Sequence, residues 1–434
     1  MARGRTLRSI SLITLAAFLC FSCQTTKLAP ISSAADNFQP EEDEVRLWGM
    51  AREEEVKLRK EAPLKDDPLL EDYLSGIVAR LNPQGMAANP HLSYRVSVVK
   101  DPTLNAFAYP HGSLYVHTGL LARMENEDQL ATVLGHEMTH VENRHMLRAT
   151  RSMRNKQIGF SIAALVGAVV VAGEEGKAVS EGKYGKAARI DVLSDILLGL
   201  GLALAIMAAV NGYGRDLERE ADQGGFAKMT LAGYDIRESP KVYTALKDDH
   251  GERSKAETFF FGSHPRLEER IASAHEYATA HPEAVVDSQF EDQAAFRRRM
   301  RPIIREDARL NIGLGRYSLA QDQLARVLKE MPEDAEALYL MGLAKVKVAD
   351  QAKTDAERQE LRQAAKTYLQ AALRRDPDMP GPHRELGLLA YRAEDFGTAC
   401  SEFKTYLAHA PRDAEESQPI RDYMLELEQD GHCS

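Results

Sequence analysis

The sequence predicts a mainly α-helical protein with a small β-sheet, built as a compact domain followed by an α-solenoid. Three observations carry this: apolar residues recur at helical spacing along most of the chain, one short region alternates with the period of a strand, and the last third repeats itself. At 434 residues the chain exceeds one typical domain and can bury a sizeable core. Its formal charge of −10 is dispersed, with no basic footprint for nucleic acid and no run of lysines or arginines marking a membrane-surface patch. Of the four cysteines, Cys20 and Cys23 fall in a processed segment, so a zinc site of paired cysteines is excluded.

Residues 1–23 read as an export signal, with Arg3, Arg5 and Arg8 ahead of an apolar stretch from Ile10 to Phe21. The end, Cys20-Phe21-Ser22-Cys23, resembles a bacterial lipoprotein signal with Cys23 as the lipidated residue, although Cys20 stands where leucine is usual. By the same resemblance Gln24 favours the outer membrane; an ordinary cleaved signal is the alternative. Either way the mature chain leaves the cytoplasm, so Cys400 and Cys433 can pair. Residues 24–40 are polar and proline-containing, a tether.

From Glu41 to about Ala62 the apolar residues Val45, Leu47, Trp48, Met50, Val56 and Leu58 line one side of a helix, and a second helix covers about Leu69 to Leu81. Leu92, Tyr94, Val96 and Val98 alternate as in a half-buried strand. Two more extended segments, Asn105 to Tyr109 and Ser113 to Thr118, flank a turn at Pro110–Gly112. A long helix is expected from about Asn126 to Arg151, with Asn126 as its cap and Asp128 near its positive end. Two apolar stretches follow, Ile158 to Ala172 and Val192 to Val210. They read either as buried core helices or as a helical hairpin that touches lipid or shields the site.

After about residue 280 the composition changes. Residues 281–305 read as a linker and 306–430 as a repeat domain, leaving 41–280 as the first domain. Gly315, Ala320, Leu324 and Pro332 match Glu394, Ala399, Phe403 and Pro411, each displaced by 79 positions. That shift equals two 34-residue units plus 11 residues, which fit Asp350 to Glu360. Leu338, Gly342, Ala365, Ala372 and Pro377 mark a middle copy. The period, the small residues at helix crossings and the exit prolines resemble the tetratricopeptide repeat.

The chemistry centres on His136-Glu137-Met138-Thr139-His140. Positions i and i+4 share a helix face, so both imidazoles can reach one metal ion, with Glu137 on the flank as base. Zinc suits this arrangement, one ion per chain. A third ligand is then required. Asn143 and Met146 exclude the metzincin pattern, and His145 has the wrong spacing and is expected to continue the helix. The best candidate is Glu218, four residues before Asp222 on one helix face, which can complete a gluzincin-type set of two histidines and a glutamate. Asp222 can orient a ligating imidazole or assist proton transfer, and Glu220 points elsewhere.

The order of these motifs resembles the HtpX-like, CAAX-prenyl-protease-type metallopeptidases, over roughly residues 41–430 with the sharp motifs between 105 and 270. Asn105-Ala106-Phe107-Ala108-Tyr109-Pro110 is similar to the strand that family places beside its catalytic helix. Ser263-His264-Pro265 with Arg270 resembles a later motif. The resemblance implies His136, His140 and Glu218 as zinc ligands, Glu137 as base and Asp222 as proton donor or ligand orienter. It further implies His264 as a zinc latch or transition-state group, Arg215 as an oxyanion or ion-pair partner, and Asn105, Ala106, Phe107, Ala108 and Tyr109 as a substrate edge strand. The export signal and repeat tail narrow it to members working in the bacterial periplasm, anchored to the outer membrane by a lipid. They would cut unfolded or misassembled envelope proteins, with repeats that bind substrate or an outer-membrane assembly machine. A chaperone-like assembly factor, in which proteolysis is secondary, is the competing expectation.

Overall fold

The computed structural model describes residues 25–31, 38–82, 92–152, 155, 214–248, 267–287, 290, 292–411 and 417–433. The export signal with Cys23, the apolar stretches 158–172 and 192–210, and His264 lie outside the described residues. Among the described residues no helix is long and apolar enough to cross a membrane. The chain divides into two compact units: Met1–Val99, Asn105–Val116 and Asn126–Asp292 form the first, and Lys100–Leu104, His117–Glu125 and Gln293–Ser434 the second.

The first unit opens with α1 (Glu42–Glu61), entered through a capping box between Glu41 and Glu44, with acidic residues in its first turn and Arg59 and Lys60 in its last. Helix α2 (Pro68–Leu81) starts on an Asp67 cap with proline in its first turn, where a missing N–H costs nothing. Three strands follow: β1 (Arg95–Val99), β2 (Ala106–Ala108) and β3 (Ser113–His117), in the order β1-β3-β2. Strands β2 and β3 are antiparallel, pairing Ala106 with Val116 and Ala108 with Leu114. The turn between them needs Gly112, whose φ of +105° belongs to glycine and whose added Cβ would sit 2.8 Å from the Ser93 carbonyl.

After the short α3 (Thr118–Leu121) comes α4 (Glu127–Glu142), capped by Asn126, whose side chain accepts from the Gln129 N–H at 2.9 Å. Helix α4 is buried nearly all round, polar residues included, so each polar group needs a partner. Glu127 accepts from the hydroxyls of Tyr73 (2.7 Å) and Tyr234 (2.8 Å), and Asp128 from the Asp235 N–H (2.8 Å). The helix does not run on to Arg151 as expected. It breaks at Asn143–Arg144, Arg144 taking a φ of +56°, and the chain becomes helical again over 145–152.

Helix α5 (Arg215–Ala232) crosses α4 and ends on Gly233 in the left-handed cap conformation; α7 (Leu267–Ala280) packs beside it, and α6 (Ser239–Asp248) packs on α7 and α4. The α4–α5 crossing is a backbone contact. A Cβ on Gly225 would sit 3.0 Å from the His136 nitrogen, and one on Gly135 3.2 Å from the Gly225 carbonyl oxygen.

The second unit is helical in its tail: α8 (Gln293–Gly313), α9 (Tyr317–Glu330), α10 (Ala335–Gln351), α11 (Asp355–Arg375), α12 (Pro380–Tyr391), α13 (Phe396–His409) and α14 (Ser417–Gln429). Neighbours pack as pairs, α8 with α9, α10 with α11 and α12 with α13. Small residues sit at the crossings: Gly342 faces Ala365 and Leu369, and Gly387 faces Phe403. The matched positions Gly315 and Glu394 both take left-handed φ, +78° and +59°, as chain reversals between paired helices. The extra residues near 350–360 are absorbed as helix, so α11 has 21 residues where α9 and α13 have 14. Cys400 and Cys433 are disulfide-bonded, Cα–Cα 5.7 Å, tying the chain end to α13.

Two boundaries differ from the expectation. Segments 100–104 and 117–125 pack with the second unit, and the linker read at 281–305 is helix α8 from Gln293 onward. Its Phe296, Met300, Ile303, Ile304, Ala308 and Ile312 are buried at helical spacing. Its arginines are taken up by neighbours: Arg297 pairs with Glu330 (3.0 Å), Arg305 with Asp334 (2.8 Å) and Arg309 with Glu336 (2.8 Å).

The glycine contacts give a paired stability test. Gly225→Ala should lower stability by about 1–3 kcal/mol, because backbone rather than a flexible side chain meets the new methyl. Gly49→Ala, mid-helix in α1 with nothing within 4 Å of the added Cβ, should raise it by about 0.5–1 kcal/mol. Thermal unfolding of the two variants beside the parent checks both signs.

Candidate metal centre

Helix α4 sets His136 and His140 one turn apart on the face that meets α5, and α5 presents Glu218 from its first turn. A carboxylate there is favoured in its charged form by the helix dipole. The three residues are buried, and their donor atoms converge. His136 Nε2 lies 3.0 Å from His140 Nε2 and 3.6 Å from one Glu218 oxygen, and His140 Nε2 lies 3.5 Å from the other. Bonds of about 2.0–2.2 Å at tetrahedral angles put ligand atoms about 3.4 Å apart. The donor set therefore fits one small tetrahedral cation.

The other ring nitrogens are committed elsewhere. His136 Nδ1 lies 2.9 Å from Asp222 Oδ1. Asp222 also accepts two Arg270 donors, Nε at 3.0 Å and Nη2 at 2.7 Å, and the Tyr243 hydroxyl at 3.0 Å. Despite its burial, the adjoining Arg270 guanidinium and the hydrogen bond from His136 hold the Asp222 carboxyl far below the usual carboxylate range. Arg270 Nη2 also lies 3.0 Å from His136 Nδ1, so this ring nitrogen meets both the carboxylate and the guanidinium, and the Nε2 edge is turned towards the cation position. Burial, then the Arg270 charge, lowers the His136 pKa and keeps the imidazole neutral, as a ligand must be.

On the other ring, His140 Nδ1 lies 2.8 Å from His145 Nδ1, and His145 Nε2 lies 3.2 Å from Glu220. Arg148 donates to Glu220, its Nη2 at 3.0 Å. Burial, with Arg148 nearby, pushes the His145 pKa down to about 4. Glu137 follows His136 on α4 and is buried. Arg215 is exposed at the start of α5 and lines a recess with Glu218, Asp222 and Arg270. Strand β2 is an edge of the sheet and packs on α4, with Phe107 and Ala108 half-buried.

The structure brings His136, His140 and Glu218 together, with Asp222 against His136. Three contributors were missed. His145 was set aside on spacing, Arg270 had a motif but no assigned role, and Tyr243 carries no local signal at all.

Residues 68–278 match peptidase family M48. The chain is 28% identical to the beta-barrel assembly-enhancing protease of Escherichia coli strain K12 over 232 residues, 54% of this chain and 44% of that protein. It is 29% identical to the mitochondrial metalloendopeptidase OMA1 of Schizosaccharomyces pombe, over 51% of this chain and 56% of that one. It is 32% identical to the protease HtpX of a Shewanella strain, over 47% of this chain and 73% of that one. The chain spans under half the length of the E. coli protein it matches. The converging donors lie inside the matched stretch, and the chain belongs to peptidase family M48, a family of zinc metalloproteases.

Proposed function

We propose that the protein is a zinc-dependent endopeptidase of the bacterial cell envelope that cuts unfolded or misassembled exported proteins. The observation that carries the reading is the convergence of two imidazole nitrogens and a carboxylate at 3.0–3.6 Å beside a buried glutamate. His136, His140 and Glu218 hold one zinc ion. When bound, zinc supplies Lewis acidity, polarising a peptide carbonyl and making water a nucleophile at neutral pH. Glu137 takes the proton of the attacking water and passes it to the leaving amine. Of the two roles open to Asp222, orientation of His136 is the one its ionised state supports. Arg215, beside the recess next to Glu218, meets a substrate carbonyl or carboxylate.

Strand β2, from Asn105 to Tyr109, receives an extended segment of substrate by edge pairing, which restricts cleavage to chains that are locally unfolded. The helical pairs of the second unit are tetratricopeptide repeats, and they bind substrate or an outer-membrane assembly machine. Three observations support an envelope location: the signal-like residues 1–23 ending on Cys23, the Cys400–Cys433 disulfide, and the name of the E. coli relative.

Two substitutions test the chemistry. Glu137→Gln should retain zinc and cut an unfolded test polypeptide at least about 100-fold more slowly; unchanged cleavage rejects the assignment. Glu218→Ala should lose zinc on dialysis against a weak chelator, read by elemental analysis, and full retention would remove Glu218 from the ligand set.

A further inference from the structure

We infer that His145 is a positioning residue for the metal ligand His140, held in place by Glu220 from α5 and by a break in α4 that Glu44 enforces. This rests on the reading of His140 as a ligand. His145 is fully buried, with its two ring nitrogens pointing at different partners. Glu220 lies 3.2 Å from His145 Nε2 and is paired with Arg148, so it accepts from His145 Nε2–H. His145 Nδ1 is then a lone pair. Across the 2.8 Å contact, His140 Nδ1–H donates to it, and the Nε2 lone pair of His140 faces His136 and Glu218. The chain Glu220–His145–His140 thus does for one imidazole what Asp222 does for the other.

A continuous helix forbids this arrangement. Residues five apart stand about 140° round the axis, so His145 would point away from His140. The left-handed Arg144 ends α4 and returns the chain to helix in a new direction. That conformation costs a non-glycine residue about 1–2 kcal/mol. It is held by a buried two-pronged pair with α1, Arg144 Nε to Glu44 Oε1 at 2.8 Å and Nη2 to Oε2 at 2.5 Å. The Phe38 ring lies under the guanidinium at 5.4 Å. A buried histidine kept for packing requires neither the strained break nor a carboxylate on its far nitrogen.

The test compares zinc affinity, by competition with a chromophoric chelator, and the visible spectrum of the cobalt-loaded full-length protein. His145→Phe keeps the ring and removes the acceptor; zinc should bind about 10–100-fold more weakly and the cobalt band should shift. His145→Asn restores an acceptor near the Nδ1 position and should recover most of the affinity. Glu220→Leu alters a side chain 40% exposed, so folding is not at risk, and should weaken zinc in the same direction by less. Melting of the metal-stripped proteins separates positioning from stability, since a merely structural His145 would lower the melting point and leave the cobalt spectrum alone. Parent-like affinity and spectrum in His145→Phe would overturn the inference, as would equal losses in His145→Phe and His145→Asn. If Glu218→Ala also leaves zinc binding intact, the ligand reading itself has failed; if Glu218→Ala loses zinc while His145→Phe does not, only the positioning role has.

Discussion

The metal centre depends on how closely two helices can pass. Glu218 reaches the histidines only because α4 and α5 touch backbone to backbone, with Gly135 on one and Gly224 and Gly225 on the other. A Cβ on Gly224 would fall 2.4 Å from the Thr139 methyl, and one on Gly225 would meet the His136 amide. With a larger residue at the crossing, interaxial distance rises towards the ordinary ~8–10 Å of side-chain-separated helices. The carboxylate would then leave the ~3.4 Å ligand spacing that a tetrahedral ion requires. The glycines carry no chemistry themselves. They set the distance at which the chemistry becomes available.

Around that crossing lies an unusual density of buried charge. Burying Arg270 and Asp222 is costly in isolation, by several kcal/mol per ion even after relaxation. Here each offsets the other, and the spare acceptor and donor positions are taken by His136 and Tyr243. Such a network contributes little net stability compared with apolar packing, and losing one member strands the rest. What it provides is a fixed ring orientation. Asp222 and Arg270 both meet Nδ1 of His136, which leaves Nε2 facing His140 and Glu218.

Much of this was legible in the sequence because the signals are local. The helices at Glu42–Glu61 and Pro68–Leu81 lie within a residue or two of the apolar patterns that predicted them, and Asn126 caps α4 as expected. The pairing of His136 with His140 and the shared face of Glu218 and Asp222 follow from helix period alone. The errors have non-local causes. Arg144 leaves the helix where Glu44, 100 residues earlier, holds its guanidinium, a contact no local pattern shows. Arg270 and Tyr243 reach Asp222 across 48 and 21 residues, and no spacing rule encodes either. The start of α8 fell inside the stretch read as linker, and the acids that pair with its arginines lie elsewhere in the chain, at Glu330, Asp334 and Glu336.

The two histidines of one five-residue motif are therefore supported from opposite directions along the chain. His136 is oriented by residues downstream of the motif, on α5, α6 and α7; His140 is oriented through a break pinned by α1, upstream, and by Glu220 on α5. Lone pairs and a carboxylate aimed at one point repel one another, so the arrangement is held by packing of the surrounding helices. A bound cation converts that repulsion into attraction, and its binding free energy stabilises the folded state. The geometry of the site is then a property of packing throughout the first unit, and the five-residue motif is only where that packing converges.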